Sequence, residues 1–574
     1  MLSLALPRSR PRWRRWGGEQ ALLAAFAVFL TVVSLLPMAR LLWEGVAPGD
    51  VPQLGVLAEV LASRSTWRAT GNSLEAACGG TAISLLLGGV FALLVALTDI
   101  RAKAALVFCF LLPLMIPPQI TALSWAQLFG PASPLLNTLG VAPPPGSPHP
   151  LYSAGGVILL LGIQHAPLVF LSLRAGLRSL PREQVEAACA AGAGRWRVLT
   201  SVILPLMTPA LVAGGALAFV SAIGNFGIPA LLGIPAGFTV LPTLIYQRLA
   251  SFGPSVISEV AVLSILVGLI AAAGLLLQSL VLGKRDYRSS TAVSQALSYR
   301  LGRWRPAAEL ACWAVIFLIL IVPLAALVAT SLVTAYGVPL GPGTVTLDNY
   351  VEVLFRQAVT ARAFANSFVL AGAAALVLVA VSAPLGYFLV WRRAPLLRAL
   401  DLVAELPYAL PGVVLAIACI LVFLRPLPLL GVGLYGTLWI ILFAYLARFL
   451  TLALRPTVGA FHQLDRALEE AAQAAGARFL RRLRDIVLPL VAPAAAAGGL
   501  LVFMTAFNEL TVSALLWSGG NETLGVVVFN LDDGGSTVLA SAVAVLAVLA
   551  IVALMALVQL LSSRLPAGVL PWER

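Results

Sequence analysis

Charge is scarce in this chain, and so are the side chains that usually hold metals. Of 574 residues, 11% are Asp, Glu, Lys or Arg, against 60% hydrophobic. An apolar share that far above the roughly 45–50% of soluble domains excludes a water-soluble globule and places the chain in a bilayer. Three histidines, His149, His165 and His462, stand apart with no paired His or carboxylate spacing, which argues against a metal-dependent membrane enzyme. His165 sits alone in an apolar run, where satisfied packing is the simpler reading. The five cysteines, Cys78, Cys109, Cys189, Cys312 and Cys419, lack metal-ligand spacing and read as small apolar fillers. No G-x-x-x-x-G-K followed by Ser or Thr occurs, so no loop is expected to cradle a nucleotide's phosphates.

What is abundant is long apolar sequence. Crossing a hydrocarbon core of about 30 Å takes about 20 residues of helix. Twelve nearly uncharged runs reach that length, at 20–43, 71–97, 104–128, 154–175, 202–224, 257–282, 308–332, 366–391, 399–424, 431–454, 487–509 and 537–561. Prolines inside them, as in LLPLMIPPQ at 111–119, predict kinks or breaks. The basic start, PRSRPRWRR, precedes an apolar run too long for a signal peptide and reads as the lead into an uncleaved first span.

The net charge of +13 follows this topology. With a cytoplasmic N-terminus, six of the 37 Lys and Arg residues fall in outer loops (Arg64, Arg68, Arg248, Arg356, Arg362, Arg425). Arg40 and Arg448 lie in or at the ends of spans, and the remaining 29 face the cytoplasm. That bias puts both termini in the cytoplasm and makes the basicity a sign of orientation, with no nucleic acid implied.

The chain also repeats itself. A shift of 294 residues superposes Asn72-Ser73 on Asn366-Ser367, Pro113 on Pro407 and Pro117 on Pro411; a shift of 284 superposes Phe219 on Phe503 and Ala230-Leu231-Leu232 on Ala514-Leu515-Leu516. The difference falls in one outer loop, GPASPLLNTLGVAPPPGSPHP in the first copy and RPLPLLGVG in the second. Six spans per copy, an even number, make a parallel repeat. The expected fold is an all-α polytopic membrane protein of about 12 helices in two six-helix halves, 1–282 and 307–574, joined by a polar basic linker at 283–306, with a solute route between the halves.

Between the fourth and fifth spans of each half lies a short segment of one pattern: E-A-A, three residues, G, nine residues, an aliphatic residue, one residue, L-P. The first copy is Glu186-Ala187-Ala188, Gly192, Val202, Leu204-Pro205; the second is Glu470-Ala471-Ala472, Gly476, Ile486, Leu488-Pro489. Alanine favours helix and a Glu near the first turn suits the helix dipole, so stiff short helices are expected near 181–193 and 465–477. Gly192 and Gly476 can take the left-handed conformation that stops such a helix. A short rigid helix at a membrane surface is a poor catalyst and a good lever.

This doubled pattern resembles the signature of permease subunits of ATP-binding-cassette (ABC) importers, the binding-protein-dependent inner-membrane proteins of bacteria. The resemblance covers nearly the whole chain and departs only in Val202, where the pattern has Ile. It implies a type I, MetI-like permease fold in the bacterial inner membrane, with each E-A-A helix docking in a groove of a separate ATPase. The implied partners are two ATPase copies, a periplasmic substrate-binding protein and membrane lipid. The chain itself would be no enzyme and would bind no cofactor, ATP and Mg residing on the ATPase. Two halves in one polypeptide resemble the fused permeases of ferric-iron importers, and the stretch 224–254, GNFGIPALLGIPAGFTVLPTLIYQRLASFGP, is most similar to that group. Fe(III) is therefore the expected cargo, with thiamine, aminoethylphosphonate or a polyamine as alternatives.

Candidates for the path itself are Asn225, Asn508 and Glu509, at the outer ends of the fifth spans, together with Glu405 and Arg448. The last two could instead form a structural pair with each other or with a backbone carbonyl. An ion-coupled secondary transporter also uses six plus six spans, but usually keeps more ionisable residues at mid-membrane than are found here.

Overall fold

The structure, a computed structural model, describes residues 18–50, 55–178, 180, 182–251, 253, 255–283, 299–392, 395–426 and 431–561. The basic tail and most of the expected linker lie outside these residues. In the first half run α1 (Gly18–Val46), α2 (Arg64–Leu97), α3 (Lys103–Met115), α4 (Pro118–Leu128), α5 (Ala154–Arg178), α6 (Arg182–Ala190), α7 (Arg195–Ile223), α8 (Leu241–Leu249) and α9 (Val256–Leu282). The second half repeats the order with α10 (Gly302–Ser331), α11 (Ala358–Trp391), α12 (Pro395–Tyr408), α13 (Gly412–Phe423), α14 (Leu438–Gln463), α15 (Ala467–Ala474), α16 (Phe479–Phe507), α17 (Leu524–Asp533) and α18 (Thr537–Leu561). α10 begins inside the stretch expected to be linker.

Ten of these helices are long and apolar enough to cross a membrane. The runs expected at 104–128 and 399–424 are instead bent pairs, α3 with α4 at 99° and α12 with α13 at 111°. The cause is local. Ile116 and Leu410, each preceding a proline, are extended, and the aligned Pro117 and Pro411 carry nearly the same non-helical backbone, φ −54, ψ 138 and φ −53, ψ 138. A residue before proline is driven out of the helical region, so the same break appears in each half.

Within each half, α2, α5 and α7 pack together, as do α11, α14 and α16. Small residues let the backbones approach: a Cβ at Gly214 would come 3.1 Å from Val169 Cα, and one at the repeat-equivalent Gly498 2.9 Å from Ala453 Cα. The aligned Asn-Ser pairs have a shared task. Ser73 Oγ accepts the Leu241 N–H at 2.7 Å and Ser367 Oγ accepts the Leu524 N–H at 2.9 Å, each serving the first residue of a short helix that follows the fifth span. Asn72 and Asn366 donate to the backbone just before those helices, at Thr239 O and Glu522 O.

The first span of each half packs on the other half. The Leu36–Val46 end of α1 lies against α13, and the Val322–Ser331 end of α10 lies against α4. At the Arg-rich end, Arg392 Nε meets Glu19 of α1 at 2.8 Å, while Asp99 and Arg101 of the first half meet Leu301 and Glu309 at the start of α10. This exchange clamps the halves together around the cavity described below.

Candidate functional site

The two E-A-A segments form helices on the Arg-rich face, α6 and α15, and end alike. Gly192 and Gly476 both have φ of 82°. Ala193 N–H bonds back to Ala188 O at 3.0 Å, and Ala477 N–H to Ala472 O at 3.0 Å. This is the six-to-one closure that follows a left-handed residue and satisfies a terminal carbonyl. Leu204-Pro205 and Leu488-Pro489 each follow a wide π turn, Leu199–Ile203 and Leu483–Val487. Proline supplies no N–H to the ladder, and the wider turn absorbs the missing bond. Glu186, Ala187, Glu470 and Ala471 are exposed, with Glu470 paired to Arg466 at 3.3 Å.

What anchors each lever differs, and sequence reading missed it. Beneath α6 lie Val185 and Val198, 2% and 0% exposed. At the equivalent positions under α15 stand Glu469 and Arg482, 2% and 7% exposed and joined at 3.1 Å. Tyr387 Oη also donates to Glu469, Arg392 Nε donates to Tyr387 Oη at 3.0 Å, and Arg392 pairs with Glu19. The second lever is thereby wired through polar contacts to α1 of the opposite half. The signal was available: Val185 falls in the same register as Glu469, one residue before the motif Glu.

α7 and α16, 29 residues each, lead from the levers to the middle of the molecule. At about 1.5 Å per residue each spans about 44 Å. α7 ends at Gly224, where a Cβ would come 2.9 Å from Pro411 Cβ, at the break of the opposite half's bent pair. α16 ends at Asn508, whose Nδ2 donates to Met115 O beside the other break, at 3.3 Å. Each lever thus runs into a helix that abuts the other half's bend.

Between these contacts is a cavity of about 410 Å³, lined from both halves. Asn225, Asn508, Glu509 and Arg448 converge on it, with Gln119 and Gln164. The buried Asn225 and Glu509 occupy equivalent positions and play equivalent local roles. Asn225 Oδ1 accepts Ile228 N–H at 3.1 Å, and Glu509 accepts the Val512 and Ser513 N–H groups at 2.8 and 3.1 Å. Gln164, the counterpart of Arg448, donates to Pro113 O and Ile116 O at the bend. Arg448 packs so tightly on Gly412 that a Cβ there would collide with its Nη1. His165 lies on the same wall. Glu405 does not join them. It pairs with Arg455, which also binds Asp401 at 3.2 Å, so the pair envisaged between Glu405 and Arg448 is replaced by an acidic couple held by an arginine two turns further along α14.

Residues 84–284 and 379–566 each match the model of a family described as binding-protein-dependent transport system inner membrane component, and together they make up more than half of the chain. The chain belongs to this family. It carries the domain twice, as a fused two-half permease. It is 28% identical over 519 residues to a protein of Sinorhizobium fredii described as a probable ABC transporter permease, y4fN, covering 89% of this chain and 90% of that relative. Ferric transport system permease protein FbpB of Actinobacillus pleuropneumoniae is 26% identical over 446 residues, 76% of this chain and 62% of its own length. Xylose/arabinose import permease protein XacH of Haloferax volcanii is 31% identical over 256 residues, 43% of this chain and 79% of its own length. Members of the family similar to this chain therefore differ in the cargo they are named for.

Proposed function

We propose that this chain is the membrane subunit of an ATP-driven importer, lying in the bacterial inner membrane with both termini and both levers in the cytoplasm. Two copies of a separate ATPase, which carries ATP and Mg, dock on α6 and α15. A periplasmic binding protein delivers solute to the opposite face, and lipid surrounds the spans. The observation that carries this reading is the doubled lever: two surface helices with the same cap, each followed after a short turn by a helix that ends against the other half's bend. Closure of the ATPases displaces α6 and α15, α7 and α16 carry the displacement across the membrane, and the bends at Pro117 and Pro411 move apart or together around the cavity. Nucleotide and binding protein must stabilise one arrangement over the other by differential contacts for the cycle to run. Asn225, Asn508, Glu509 and Arg448 line the path.

Ferric iron is the cargo favoured by the ferric-system relatives and by the 224–254 stretch, with the binding protein setting much of the choice. The test is to replace Gly476 by Pro or Glu470 by Lys in the assembled system. Insertion in the membrane is expected to persist while the ATPase no longer copurifies and uptake ceases. Uptake by the purified chain in vesicles on an ion gradient alone, with no ATPase present, would overturn the reading.

A further inference from the structure

The cavity wall holds more polar side chain than polar contact. Gln119 is 1% exposed, and neither its Nε2 nor its Oε1 has a hydrogen-bond partner among the described residues. It is wedged between the halves: a Cβ at Gly227 would come 2.9 Å from its backbone nitrogen, and one at Gly525 3.0 Å from Nε2. Gln164, 3% exposed, uses its Nε2 at the bend and leaves Oε1 unpartnered. Arg448 Nη1 is likewise buried and unpartnered among the described residues. Glu509, the carboxylate on this wall, holds its oxygens on the Val512 and Ser513 amides.

A buried polar group without a partner is costly, and a charged one more so. An ionisable residue inside a membrane points to a solute path, and Arg448, Gln119 and Gln164 all line this cavity. We propose that this cavity binds a small solute by an oxyanion, a carboxylate, phosphonate or phosphate, with Arg448 taking the oxyanion and the Gln119 and Gln164 amides taking its other polar groups. The proposal rests on the reading of the cavity as the solute path and names the chemistry of what passes. A bare ferric ion is a poor guest, because it would face a guanidinium and a carboxylate already engaged; iron taking this route would travel as a complex with an oxyanion ligand. The recognition is one-sided. The repeat counterparts of Arg448, Glu509 and Gln119 are Gln164, Asn225 and Val413, so the pseudo-twofold wall is built to hold a solute that lacks that symmetry.

The test uses the full chain in lipid nanodiscs, with phosphorus NMR line broadening of two probes, 2-aminoethylphosphonate and inorganic phosphate, and proton NMR of choline as the oxyanion-free control. Both phosphorus probes are expected to bind and choline not. Arg448→Gln is expected to lower affinity by roughly tenfold, the loss of one charged hydrogen bond, and Arg448→Lys by less. Gln119→Leu, close to the wild-type side chain in size, is expected to weaken the organic probe more than phosphate. Wild-type and Arg448→Gln protein of equal melting temperature and equal affinity would overturn the proposal, as would choline binding as well as phosphate does or an absence of binding by the wild type. Loss of ATPase copurification from the wild type would sink the importer reading and leave the affinity result standing.

Discussion

Glu469 and Arg482 form a buried ion pair, Oε1 to Nε 3.1 Å, where the first half of the same chain has Val185 and Val198. One fold position has thus been filled both ways, by a desolvated charge pair and by an apolar pair. Breaking a buried pair from one side costs about 3–5 kcal/mol, because the remaining charge is stranded, whereas replacing both partners by well-packed apolar residues is often neutral. Glu469→Val or Arg482→Val alone is therefore expected to loosen α15 strongly, seen as faster amide exchange over 467–474. The double variant is expected to recover most of the protection. Additive losses would show that the pair is not the anchor.

The caps of the two levers offer a cleaner experiment. Apart from the adjoining chain, nothing among the described residues lies within 4 Å of a Cβ built on Gly192 or Gly476, so substitution there meets only the backbone requirement of a φ of 82°. Alanine in that conformation costs about 1–2 kcal/mol, and asparagine less. Gly192→Ala and Gly476→Ala are expected to reduce ATP-driven uptake, with Gly→Asn at either site closer to wild type. Equal behaviour of Ala and Asn would mean that the cap does not limit the lever.

Much of this arrangement was legible in the sequence because its causes are local. Span length, the repeat, the left-handed glycines and the breaks near Pro117 and Pro411 all follow from runs of a few residues. The crossing of α1 and α10 onto the opposite halves was not, since their apolar faces fit either half equally well on paper. Glu469 went unremarked because the motif points to its exposed neighbour Glu470, whereas it is the burial register that picks out the anchor. The alternative of a structural pair between Glu405 and Arg448 left out Arg455, which lies two turns along the same helix face and, unlike Arg448, reaches both Asp401 and Glu405.

The serines of the Asn-Ser repeats should contribute alike. Ser73 and Ser367 are buried and each receives the first N–H of a short helix. Loss of such an acceptor typically costs about 1 kcal/mol. Ser73→Ala and Ser367→Ala are each expected to lower the melting temperature by a similar amount, and to add when combined because they serve different helices. A silent Ser73→Ala beside a damaging Ser367→Ala would show that the two halves are not held in the same way.

The end of the linker is held by charge, and that gives a pH dependence with a definite sign. Leu301 N–H donates to Asp99 Oδ1 at 2.9 Å, and this bond pulls the Asp99 carboxyl below its ordinary value, with Arg305 adding to the effect. A carboxylate with a lowered folded-state pKa contributes stability that is full above the unfolded value, about 3.9, and is lost as pH falls through the lower folded value. The contact is therefore constant across the neutral range and fails only in acid. Amide exchange at Leu301 should be slow and, after correction for intrinsic rates, flat from neutral pH down to about 5, then rise. Asp99→Asn should raise it at every pH and abolish the acid step, while Tyr299 N–H, bonded to Leu97 O at 2.7 Å with no carboxylate involved, should show no such step in either protein. An acid step at Tyr299 as large as that at Leu301 would point to general unfolding in place of release of this tether.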